Sequence, residues 1–254
     1  MKLFSTNTYY VPQDLSSITQ AKHEVSAELG GMTEQQVQKI WQSVESLYKS
    51  GNHPLISLCI RRKGQVIINR SIGYQHAVTK KQSADDAVIA NPDTPICLFS
   101  ASKIVNAMLV HLLNQQGKIN LFDPVSHYIP EFAANGKRRA TIFHLLSHRG
   151  GIPNIETEVT PELLFDREQI LKLLYAAKPI SYSGNQLAYH AVTAGYILGE
   201  LVERVTGQDI RQFLHENIEN PMEMDFFNYG LKPEYRDQVA TNYPTGMHPK
   251  LGTD

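Results

Sequence analysis

Ser100-Ala101-Ser102-Lys103 stands where an extended apolar run gives way to a long apolar helix, and its reading decides the rest of the chain. A serine hydroxyl is a poor nucleophile at neutral pH unless a neighbour can take its proton. Residues three apart on a helix lie side by side, so this spacing brings a hydroxyl and an amine together. A lysine kept neutral by burial and by cationic neighbours can then act as the base. The pattern is short, and roughly one accidental match is expected in a chain of this size. Its position carries more weight. Thr94-Pro95-Ile96-Cys97-Leu98-Phe99 is an extended apolar run, with Pro95 holding its start out of helix. Ile104, Val105, Met108, Leu109, Leu112 and Leu113 follow at helical spacing as far as Gly117, which predicts a central, buried helix. Ser100 falls in its first turn, where unpaired backbone N–H groups and the helix dipole favour developing negative charge. The same place also suits a plain N-cap serine.

A second match, Ser46-Leu47-Tyr48-Lys49, serves as an internal control. Thr33 to Lys49 reads as an amphipathic helix with Val37, Ile40, Trp41, Val44, Leu47 and Tyr48 on one stripe. Thr33 with Gln36 makes a capping box at its start, and Gly51 follows its end. Ser46 lies nine positions after Val37, half a rotation away, on the solvated face. That pair reads as surface.

The chain has 254 residues, 24 basic and 25 acidic, for a net charge of −1. This balance points to neither a nucleic acid nor an anionic membrane as partner. A hydrophobic fraction of 42% is enough for a substantial core, as one large domain or two subdomains. Met1-Lys2-Leu3-Phe4-Ser5-Thr6-Asn7 has no apolar stretch after its lysine, so no secretory signal and a cytoplasmic location are expected. No run is long enough to span a bilayer. Cys59 and Cys97 are too few for a disulfide framework and read as buried thiols in apolar, strand-like segments. His144 and His148 are spaced i, i+4 but lack the glutamate of a zincin pattern, so neither metal nor cofactor is expected.

Along the chain, residues 1–32 read as an irregular polar arm on the surface. Pro54 to Arg62 is a strand, Lys63-Gly64 a tight turn, and Gln65 to Gly73 the returning strand of a hairpin. Residues 74–93, with Lys80-Lys81, form a polar excursion. Beyond the Ser100 helix the pattern is mainly helical. A short turn begins at Val125, a capped helix at Thr141 runs into Gly150-Gly151, and longer helices cover Glu168–Ala177 and Ala191–Thr206.

This order of segments resembles the beta-lactamase-related serine hydrolases, which include class C beta-lactamases, D-alanyl-D-alanine carboxypeptidases and esterases. The hairpin Ile56–Gly73 is similar to their opening strands, and Phe99-Ser100-Ala101-Ser102-Lys103 to their nucleophile motif. Gly117 to Val125 resembles their glycine–leucine–aspartate–proline–valine segment, and His144 to Pro153 their helix and glycine turn. Gly195 to Gly207 resembles the helix after their tyrosine motif, and Pro221-Met222-Glu223-Met224 the loop beyond.

The resemblance implies a tyrosine whose phenolate shares protons with the serine and lysine. Tyr182-Ser183-Gly184-Asn185 superficially fits, but Tyr189-His190-Ala191 stands at the helix start and keeps the esterase-like spacing to Gly195. Tyr189 is therefore chosen as third catalytic residue beside Ser100 and Lys103, with His190 a candidate substrate contact or a partly buried structural histidine. Where many members carry an asparagine this chain has Ala191, which speaks against true beta-lactamase activity. The family's later Lys/His-Thr-Gly strand, which completes the oxyanion hole, has no counterpart here. Tyr243-Pro244-Thr245-Gly246-Met247 is loop-like, and Pro244 argues against a central strand.

The implied fold is α/β plus α, beta-lactamase/transpeptidase-like: an antiparallel sheet flanked by helices, with a helical subdomain and with the family's closing strands missing. The hairpin of residues 54–73 would then keep unpaired edges and an exposed face. Within a single domain, 1–32 is the arm, 33–117 the sheet subdomain with the nucleophile helix, and 118–254 the mostly helical subdomain. The implied activity is a serine hydrolase, most nearly an esterase, acting on a small-molecule ester or amide through an acyl-enzyme. The alternative is a truncated or non-catalytic relative with a binding or assembly role.

Overall fold

Lys63 and Gly64 both take positive φ, 53° and 77°, the pairing that a type I′ turn demands and that suits the right-handed twist of a hairpin. The computed structural model describes residues 4–6, 9–79, 83–155, 157–182, 184–243 and 247–249. Lys80-Lys81, Ser183 and Pro244-Thr245-Gly246 lie outside the described residues. The described chain divides into two compact units. One contains the residues up to Cys97 and those from Leu231 onward; the other runs from Leu98 to Gly230.

In the first unit, strand β1 (Phe4–Thr6) pairs antiparallel with a late strand, Met247–Pro249. A three-stranded antiparallel sheet is built from β2 (Thr19–Ala21), β3 (Leu55–Arg62) and β4 (Gln65–Gly73), in the order β2-β4-β3. Residues expected to form a surface arm thus contribute a strand, and Leu15, Ile18 and Ala27 join the core. Their apolar side chains are too widely spaced to show a period, yet each is buried in the same cluster as Ile67, Ile68 and Ile72. The same strand pairs with β4, so the hairpin's β4 edge is covered, while β2 and β3 are the two edges of this sheet. Helix α1 (Glu34–Lys49) begins at the expected capping box, with Thr33 and Gln36 bonded both ways. It lays Val37, Trp41 and Tyr48 onto the sheet side of this core. Leu47, expected on the same stripe, is exposed. The Arg70 guanidinium lies 5.4 Å over the Trp41 ring and forks onto Glu24 with two 2.7 Å hydrogen bonds.

Cys59 and Cys97 are both exposed, which corrects the reading of buried thiols. On β3 the period of two puts Cys59 with Ser57 and Arg61 on the open face, opposite Leu58 and Ile60. Cys97 lies in a stretch with no strand at all. A continuous apolar run does not by itself say that both faces are covered.

The second unit is helical: α2 (Ser102–Gln115), α3 (Val125–Tyr128), α4 (Ile142–Leu146), α5 (Pro161–Phe165), α6 (Arg167–Ala176), α7 (Thr193–Thr206) and α8 (Ile210–Leu214). Thr141 caps α4 in a box with His144, and Thr160, Asp166 and Asp209 cap α5, α6 and α8. Its core joins Val105, Leu109, Val110 and Leu113 of α2 to Ile197, Leu198, Leu201 and Val202 of α7. Glu200, buried on α7, is held by Arg167 and by Arg204 at 2.7 Å, which removes the cost of an unpaired internal charge. The helix carrying the Ser100 motif packs within this unit. No helix among the described residues is long and apolar enough to cross a membrane.

The late strand, β5 (Met247–Pro249), closes the element order.

Candidate active site

Phe99 takes φ 45°, a left-handed backbone that costs a non-glycine residue about 1–2 kcal/mol. Strain of this kind gathers at functional sites, held there by the surrounding structure. It turns the chain from the extended run into a 3-10 turn, Phe99–Ala101, which feeds α2. Ser100 therefore sits ahead of the regular helix, exposed, while Lys103 lies in the first turn of α2, half-buried. Lys103 Nζ donates to Ser100 Oγ at 3.2 Å. Ser102 is a poor rival nucleophile, because its Oγ donates to the Phe99 carbonyl at 2.6 Å.

Only one face of α2 is buried. Ile104 is 68% exposed and Met108 45%, one and two turns beyond Ser100, so the helix expected to be central and buried leaves part of its apolar stripe open. The apolar residues cover more of the circumference than the core of this unit encloses.

Tyr189 lies in an irregular stretch just ahead of α7, and its side chain is 53% exposed. Its phenol faces Ser100 and Lys103, and their polar influence, Ser100 first, holds it below the ordinary tyrosine value. Lys103 Nζ also stands 5.2 Å over the Tyr189 ring. The three residues expected from sequence to act together are therefore neighbours within one unit. Tyr182, the rival tyrosine, rests instead against Gly136, where a Cβ would meet its ring at 2.6 Å.

His190 is fully buried. Its Nε2 accepts from the Ile152 N–H at 3.1 Å and its Nδ1 donates to the Ala188 carbonyl at 2.6 Å. Both ring nitrogens are engaged within the chain, as the structural alternative for His190 requires. Burial, foremost, pushes its pKa down, which keeps the ring neutral and fit for that single tautomer. Gly150 makes room for it: a Cβ there would lie 3.3 Å from His190 Nε2 and 2.5 Å from Leu145.

The residue the sequence reading passed over is His148. Its ring lies 4.7 Å from the Tyr189 ring and stacks on His190 at 5.9 Å. Burial and then the Lys103 charge lower its pKa. Its one legible signal was a histidine two positions ahead of a glycine pair, since histidine is among the residues that tolerate positive φ. The most buried lysine of the unit, Lys137, is committed elsewhere: its Nζ donates to the carbonyls of Ala134, Tyr175 and Ala177.

The beta-lactamase family profile matches residues 34–253. The chain is 33% identical over 141 residues to the esterase/beta-lactamase LipL of Mycobacterium tuberculosis (strain ATCC 25618 / H37Rv), a match covering 56% of this chain and 32% of LipL. A novel penicillin-binding protein homolog from Caulobacter crescentus is similar in structure, with TM-score 0.74 and 29% identity over 83% of this chain and 55% of that one. A family VIII carboxylesterase gives TM-score 0.71 and 28% identity over 80% of this chain and 54% of that one. The chain thus spans about a third of the length of LipL and about half the length of these solved relatives. By profile, sequence and fold, the chain belongs to the beta-lactamase family of serine hydrolases, with its beta-lactamase/transpeptidase-like architecture.

Proposed function

We propose that the chain carries an esterase-like serine hydrolase centre in which Ser100 attacks an ester or amide carbonyl. Tyr189, its phenol favoured as phenolate by Lys103, takes the proton from Ser100 Oγ as the new C–O bond forms. The same phenol then returns that proton to the leaving alkoxide or amine as the old bond breaks. Water attacks the acyl-Ser100 ester by the same route and releases the acid. Negative charge on the carbonyl oxygen develops at the start of the α2 segment, where first-turn N–H groups and the dipole favour it. The observation that carries this reading is the Lys103–Ser100 hydrogen bond with Lys103 Nζ also standing over the Tyr189 ring. Esters are favoured over lactams because Ala191 offers no amide to a substrate carbonyl, and because the similar family VIII carboxylesterase is named for ester chemistry.

A second reading, binding or assembly without turnover, is favoured by Phe99, Ile104 and Met108, exposed apolar side chains beside Ser100. Intact-mass spectrometry with a fluorophosphonate and, separately, a penicillin distinguishes the two, alongside hydrolysis of p-nitrophenyl acetate and butyrate. An adduct on Ser100 with ester turnover is expected. A folded chain with neither adduct nor turnover selects the second reading.

A further inference from the structure

Tyr189 belongs to no helix or strand, so something other than a regular ladder must hold its phenol against Ser100 and Lys103. The two peptide N–H groups that flank it both end on one residue. The Ala188 N–H donates to the His148 carbonyl at 2.9 Å, and the His190 N–H donates to His148 Nδ1 at 3.1 Å. The His148 ring meanwhile packs on the Tyr189 ring. His148 can present carbonyl and ring together because it sits at φ 59° in the turn after α4, a left-handed conformation that most side chains avoid. The turn is fastened from behind by Thr193 Oγ1, which donates to the Ile152 carbonyl at 2.6 Å, and by the Ile152–His190 bond.

We infer that His148 is a positioning residue for Tyr189, its carbonyl and its Nδ1 fixing the peptides on either side so that the phenol stays within reach of Ser100 and Lys103. The inference rests on the proposed roles of Ser100, Lys103 and Tyr189. Nδ1 can accept only from a neutral ring, and burial and the Lys103 charge keep the ring neutral. The groups facing it are Lys103, Tyr189 and His190.

The test is the rate of fluorophosphonate labelling of Ser100 as a function of pH, in the full chain and in two variants. H148G keeps the left-handed turn and the carbonyl but removes the Nδ1 acceptor and the ring. H148N also tolerates the turn and offers a side-chain acceptor to the His190 N–H. H148G should label on the order of 10²-fold more slowly, the cost of a small misplacement of a reacting group. Its rising pH limb should move up toward the ordinary phenol value near 10, as the phenol leaves Ser100 and Lys103. H148N should recover most of the rate and bring the limb back. A purely structural histidine would lower the melting temperature of H148G and leave the limb in place, and that result overturns the inference. So does an H148N limb displaced as far as that of H148G. Should H148G not fold, folded H148N carries the test by itself: a limb at the wild-type pH supports the inference, and one displaced toward 10 overturns it. Absence of any Ser100 adduct in the unaltered chain would instead sink the catalytic reading itself.

Discussion

The chain carries the same four-residue spacing twice, and the two copies behave differently. In α1, Ser46 Oγ donates to the Gln42 carbonyl one turn back, at 2.8 Å, as a mid-helix serine does. Near α2, Ser100 stands before the regular helix begins, and its hydroxyl accepts from Lys103 instead. Four residues of helix upstream give Ser46 a carbonyl; the strained turn at Phe99 gives Ser100 none of that kind. Spacing supplies the pair in both cases. What separates them is the position of the serine relative to the helix start, and a tyrosine brought in from a distant segment.

The sharpest way to break that comparison is to remove each hydroxyl. Ser100→Ala should abolish covalent labelling and ester turnover, because no other group can form the acyl bond. Ser46→Ala should leave both unchanged, with stability shifted by no more than about 0.5 kcal/mol at an exposed site. Loss of labelling in the Ser46 variant, read by intact mass, would reverse the assignment.

The second contrast lies between the two tyrosines. Tyr189→Phe keeps the ring against His148 and Lys103 but removes the hydroxyl proposed to exchange a proton with Ser100. Labelling should slow by about 10²–10⁴-fold, the usual worth of a positioned acid–base group. Tyr182→Phe, altered where the ring rests on Gly136, should change the rate little. Equal losses would remove Tyr189 from its proposed role.

Much of this was legible in the sequence, for identifiable reasons. The hairpin, the α1 capping box and the Thr141 cap are local features, each decided by a few adjacent residues. Ser100 and Lys103 are local as well. Tyr189 was reached through spacing to the helix that follows it. The strand at Thr19–Ala21 was missed because its partner, β4, lies far along the chain and its own three residues carry no period. Cys59, Ile104 and Met108 were misjudged because an apolar pattern says which residues could be buried, not which faces find a partner. His148 was missed for a third reason: its contribution runs through its backbone and one ring nitrogen to residues some forty positions away.

Acid offers a smaller, graded test of the same asymmetry. His148 and His190 stack beside Tyr189 and His144 lies in the preceding helix α4, whereas α1 contains no histidine. All three have folded pKa values below the ordinary 6.5, with burial the leading cause. The unfolded chain therefore binds more protons than the folded one once the pH drops below about 6.5. Stability is full above that value and is lost as the pH falls through the folded values. The melting temperature should fall between pH 7 and pH 5, and His144→Gln should flatten part of that fall. A melting temperature constant across the window would count against the neutral-ring network.

The smallest effect should come from loosening the control helix without touching its serine. Thr33 accepts from the Gln36 N–H at 3.2 Å, and Gln36 Oε1 accepts from the Thr33 N–H at 2.9 Å, so two otherwise unpaired donors are satisfied at the start of α1. Thr33→Ala removes the first of these bonds and should cost about 1 kcal/mol, read from the shift in urea midpoint. Fluorophosphonate labelling of Ser100 under native conditions should keep its rate, because the cap orders α1 and nothing in the Ser100–Lys103–Tyr189 group bonds to it. A Thr33 variant that unfolds more easily yet labels normally would confine α1 to scaffolding, serine and lysine included. A labelling rate that fell in step with the urea midpoint would tie the nucleophile to the helix taken as its control, and the contrast between the two motifs would have to be redrawn.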